Sequence, residues 1–168
     1  MERFWNIIHY FVYKIDYRFH LFFNKINPVL YFYKLPFAKR HFKKIGIDPI
    51  IELNKAFEQP DIGISTIRSG GMMYLLVFLV CLGLGNIFIG IYRIRFNVSI
   101  IPFILALMIS FAVNYYLLFR HKKYLNYFKE FDNMEIELKI KLAWISIGLI
   151  FGILIFCMGS FIFMIYRL

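Results

Sequence analysis

The chain has 168 residues, 61% of them apolar and 21% aromatic, with a mean hydropathy of +0.65 and a formal net charge of +10. That apolar content stands well above an ordinary soluble domain, so most of the apolar surface needs lipid, or partners in lipid, to cover it. The positive charge reads as a cytoplasmic face meeting anionic headgroups, and nucleic acid is not expected as a partner.

Residues 1 to about 60 are crowded with Phe, Tyr and Ile yet studded with Lys, Arg, His and Asn. They are too polar to span and too apolar for a free tail, which suits a membrane surface or a groove between spans. Arg3, His9, Lys14, Asp16, Arg18 and Lys25 interrupt what would be the apolar core of a signal peptide, so no cleavable leader is expected. Pro28 and Pro36 are expected to divide the region into separate helices. Between them and just beyond, Lys34 to Lys44 mixes basic heads with aromatic and apolar residues, as interfacial helices do. A loop with Pro60, Asp61, Gly63, Gly70 and Gly71 leads onward.

Three stretches without charge follow, Met72 to Tyr92, Val98 to Phe119 and Leu142 to Tyr166, each long enough to cross a bilayer as a helix. The apolar runs are continuous and lack the alternation of barrel strands, so the spans are helical. After the second span the helix is expected to carry on from Arg120 to Phe131, with Tyr124, Tyr127, Phe128 and Phe131 at three- and four-residue spacing. Asp132 and Asn133 then supply a turn and an N-cap, with Glu135 and Glu137 in the first turn of the next helix. The fold class is an all-α integral membrane protein of three transmembrane helices. An N-terminal amphipathic, interfacial region (1–68) precedes the three-span domain (69–168), which carries a long cytoplasmic hairpin at 120–141.

Lys and Arg set the orientation. Eleven precede the first span and six lie between the second and third, leaving Arg93, Arg95 and Arg167 for the other side. The positive-inside rule places the N-terminus in the cytoplasm and the C-terminus outside a cell membrane, the inner membrane where there are two.

No constellation of catalytic or metal-binding residues is present, so neither an enzyme nor a cofactor is expected. His9, His20, His41 and His121 stand apart and are expected to be solvated or headgroup-facing. Arg3 and His9 have five residues between them, which resembles the Arg/His element of HEPN-type RNases, a spacing that a chain with 20 Lys and Arg also produces by chance. Cys81 and Cys157 read as small packing residues.

The spans themselves carry two kinds of signal. Asn86, Ser110 and Asn114 are candidate pore-lining or interhelical polar residues, because an amide in lipid must find a partner. Gly83, Gly85, Gly148, Gly152 and Gly159 are candidate packing positions on other spans or on neighbouring subunits. Lys39, Arg40, Lys43, Lys44, Arg120, Lys122 and Lys123 are candidate contacts to anionic lipid or to a cytoplasmic protein partner. The leading functional expectation is a small homo-oligomeric protein that forms a pore or perturbs the membrane, gated by its cytoplasmic region. In plan it resembles the compact membrane effectors of bacterial defence systems. The alternative is a non-conducting scaffold or accessory subunit that anchors a cytoplasmic partner.

Overall fold

A computed structural model describes residues 1–94 and 100–167. Among them every regular element is helical: α1 (Glu2–Ile26), α2 (Pro28–Lys34), α3 (Pro36–Ile45), α4 (Pro49–Glu58), α5 (Ile64–Tyr92), α6 (Ile101–Asn114), α7 (Lys123–Asp132) and α8 (Ile136–Arg167). Arg95, and the Val98 start of the second expected span, lie outside the described residues. Three helices are long and apolar enough to cross a membrane: Ile64–Tyr92, Ile101–Asp132 and Ile136–Arg167. The chain divides into two compact units, one of Met1–Tyr10 with Gly71–Leu168 and the other of Phe11–Gly70.

In the second unit the helix boundaries follow from local chemistry. Pro28, Pro36 and Pro49 each sit in the first turn of a helix, where the missing N–H has no intrahelical use. Asn27 caps α2 by accepting from Val29 N–H at 3.0 Å, and Asp48 caps α4 by accepting from Ile50 N–H at 2.9 Å. Gly46 closes α3 at φ 72°, the left-handed conformation that costs glycine least, with Ile47 N–H returning to the Phe42 carbonyl. At Gly63 the Phe57 and Gln59 carbonyls come so close that any Cβ would collide with them. That glycine therefore permits the turn into α5.

His20 departs from the solvated histidine expected. It is 9% exposed and its ring stacks on Phe57 with centroids 3.5 Å apart. Burial pushes its pKa below the ordinary histidine value, with Arg68 adding to that effect and the Asn54 hydrogen bond and Asp16 opposing it. Asn24 bridges the same face, donating to Asn54 Oδ1 at 3.0 Å. Asp16 pairs with Arg68 at 3.2 Å.

In the first unit the apolar interior gathers at one end: Ile7, Ile8, Tyr10, Met73, Leu76, Leu118, Tyr124, Phe128 and Phe131 are buried. Leu84, Leu107, Met108, Ile155 and Phe161 stay more than half exposed. Two differences from the expected hairpin appear here. The second apolar helix does not run straight to Phe131; it passes through a π-helical turn at Tyr115–Phe119 and kinks at Arg120–Lys122 before continuing as α7. His121 and Lys122 both take positive φ, 56° and 52°, which L residues adopt only when their surroundings require it. The Leu117 carbonyl in this turn accepts a hydrogen bond from Asn6 Nδ2 at 3.1 Å, a partner outside the helix of the kind that accompanies such local departures. Asn133, expected as an N-cap, instead closes α7: its side chain donates to the Lys129 carbonyl and its N–H to that of Glu130. The next helix starts at Ile136, leaving Glu135 just ahead of its first turn and Glu137 within it.

Glycine on α5 decides how closely α8 approaches. A Cβ at Gly83 would lie 2.9 Å from Cδ1 of Phe156, whereas Gly148 on α8 has open space. Gly83→Leu is therefore expected to destabilise the protein by about 1–3 kcal/mol in a detergent melt. Gly148→Leu is expected to leave the melt of a single chain unchanged, and equal losses at both positions would contradict the α5–α8 contact.

Candidate functional site

Two polar side chains of α6, Ser110 and Asn114, meet α5 along one seam. Asn114, fully buried near the end of α6, donates from Nδ2 to the Met73 carbonyl of α5 at 3.2 Å and to its own Ser110 carbonyl at 2.9 Å. Its Oδ1 accepts from Trp5 Nε1 at 2.9 Å. One turn earlier, Ser110 donates its hydroxyl to the Tyr74 carbonyl at 2.5 Å. A single amide thus ties α1, α5 and α6 together, and each of its polar atoms has a protein partner.

A second layer surrounds the first turns of α1. His9, wholly buried, packs among Phe119, Tyr124 and Phe128 with ring centroids 6.0, 5.6 and 5.1 Å away. Tyr10 packs edge-on against Phe128 and Phe131 and donates its hydroxyl to Asp132 at 2.7 Å. At the rim, Glu2 meets Lys123 at 2.7 Å and Arg3 meets Glu130 at 2.7 Å. The Lys123 hydrogen bond holds the Glu2 carboxyl below the usual carboxylate range. His9, expected to be solvated, is instead part of an aromatic core, and Arg3 is engaged in a surface ion pair. The RNase-like spacing therefore does not present an exposed Arg/His pair.

The other residues singled out from the sequence are scattered. Asn86 is half-buried on α5, with Nδ2 3.4 Å from Ser160 Oγ on α8. Gly83 faces Phe156, while Gly85, Gly148, Gly152 and Gly159 have nothing within 4 Å of a Cβ. Lys39, Arg40, Lys43 and Lys44 are exposed on α3. Arg120 and Lys123 lie over the Tyr116 ring at 5.3 and 5.5 Å, and Lys122 is exposed at the kink. Cys81 and Cys157 are free thiols.

Sequence reasoning missed Trp5, Asn6 and Tyr10 and misplaced His9. A signal for them existed: the aromatic stripe of Tyr124, Phe128 and Phe131 needs a cover, and Glu2 and Arg3 match the charges of Lys123 and Glu130. Within the same unit a wholly apolar groove of about 370 Å³ runs along Phe4, Trp5, Val77, Val80, Leu117 and Leu149. With no polar surface on its walls, it can hold an alkyl chain. Comparison of the chain with protein-family models, with curated proteins and with solved structures finds no match.

Proposed function

We propose that this chain is a non-conducting membrane anchor, an accessory subunit rather than an enzyme, inserted by α5, α6 and α8. In this reading the N-terminus and the kinked α6–α7 connection lie in the cytoplasm, where Lys and Arg are concentrated, and the basic aromatic segment faces anionic lipid or a cytoplasmic protein partner. The observation that carries it is the fate of Ser110 and Asn114. A pore would use these side chains to line a polar path, yet they are spent on carbonyls of α5 and on Trp5. The outward faces that remain are apolar.

The pore reading, a homo-oligomeric effector of the defence type, retains one supporting observation. Gly148, Gly152 and Gly159 leave room on α8 for a neighbouring backbone. The deciding experiment is the mass of the protein in nanodiscs followed by planar-bilayer recording on the same sample. The expected result is a small, electrically silent particle. A ring of several subunits with reproducible conductance would replace the anchor reading with the pore.

A further inference from the structure

The four basic residues of α3 do not form a single patch. Lys39 and Lys43 are one turn apart on the same helix face and, together with Lys34 from the end of α2, border a cleft of about 490 Å³ between α2, α3 and the start of α4. Arg40 and Lys44 belong to the next face round and do not line it. The walls between the ammonium groups are apolar, from Phe42, Ile47 and Ile50. The one carboxylate at the edge, Asp48, already accepts the Ile50 and Ile51 N–H groups at 2.9 and 3.3 Å. Three lysines and one carboxylate therefore border a cleft of ligand size, a net charge of +2, with the Lys34 ammonium 5.1 Å from the Tyr31 ring.

We propose that this cleft binds the headgroup of a phospholipid ending in a phosphomonoester, of the phosphatidate class. Charge decides the headgroup: a phosphomonoester carries about −1.5 to −2 near neutral pH, against −1 for a diester, and offers three acceptor oxygens to the three ammonium groups. Surface decides for a lipid over a soluble phosphate. Ile47, which lines the cleft, is 47% exposed, and Phe32, Phe37 and Ile45 elsewhere on α2 and α3 are 53–61% exposed, an apolar surface that fits acyl chains. The proposal rests on the reading that the N-terminal region meets a membrane, and sharpens it from general attraction to anionic lipid into one stoichiometric site.

Two charge-matched variants separate a site from diffuse attraction. The full chain in neutral detergent is titrated with short-chain phosphatidate, with phosphatidylcholine as the neutral probe, and bound lipid is counted by native mass spectrometry. Lys39→Ala/Lys43→Ala is expected to weaken phosphatidate binding about tenfold or more, and Arg40→Ala/Lys44→Ala less than threefold, although both remove two charges. All four side chains are exposed, so both variants are expected to melt as the parent does. Equal losses in the two variants, or none in either, would overturn the proposal in favour of a diffuse field. Displacement of the lipid by millimolar glycerol 3-phosphate would overturn the lipid assignment and point to a soluble phosphate. Conductance in a bilayer would refute the anchor reading and leave these binding results standing, so the two failures are distinguishable.

Discussion

Asn114→Leu is expected to cost about 2–3 kcal/mol and to lower the melting temperature in detergent by roughly 5–10 °C. The substitution keeps the number of side-chain heavy atoms at a fully buried position, so the loss is expected chiefly from the hydrogen bonds. Three are removed together: the bonds to the Met73 and Ser110 carbonyls and the one accepted from Trp5. The two carbonyls belong to helices and keep backbone partners, but the Trp5 indole N–H is left without its acceptor. Asn86→Leu supplies the comparison. Its contact with Ser160 is 3.4 Å long and half-buried, so its loss is expected to stay within about 0.5 kcal/mol. If the two variants melted together, the seam at Asn114 would not be what joins α1, α5 and α6.

The second large effect is expected at Phe128, which is 2% exposed and touches the rings of His9, Tyr10 and Tyr124. Phe128→Ala removes the ring around which the first turns of α1 and α7 meet, and is expected to cost about 3–4 kcal/mol, or roughly 6–12 °C. Phe128→Leu refills most of that space and is expected to cost about 1 kcal/mol. Phe37→Ala, at an exposed ring, is expected to change stability by less than about 0.5 kcal/mol. A melt in which Phe128→Ala matched Phe37→Ala would mean that the N-terminal turns do not pack on α7.

The parts of this fold that depend on local chemistry are legible along the chain. Three apolar helices follow from uninterrupted hydropathy, and the helix starts at Pro28 and Pro36 follow from a ring that has no N–H to give. What is not legible depends on partners far away in sequence. The kink at Arg120–Lys122 has no proline or glycine to announce it; it accompanies an Asn6 bond to the Leu117 carbonyl across 111 residues. His9 reads as a surface residue in a basic segment because nothing near it reveals the aromatic stripe 115 to 119 positions later that encloses it. At the candidate site, the residue types at Ser110 and Asn114 can be picked out from hydropathy alone. Their partners cannot, because a backbone carbonyl carries no identity in a sequence.

The Trp5–Asn114 bond joins residues 109 positions apart, and the Arg3–Glu130 pair spans 127. At about 5–20 residues per second, a ribosome needs roughly 5–25 s between making the first partner of each pair and making the second. Over that interval Trp5, Asn6 and His9 are synthesised but have nothing to dock on, and their burial must wait until α7 has left the exit tunnel. Residues made early are thus among the last to reach their final places, and a chain cut short anywhere before Asp132 loses the Tyr10–Asp132 hydrogen bond.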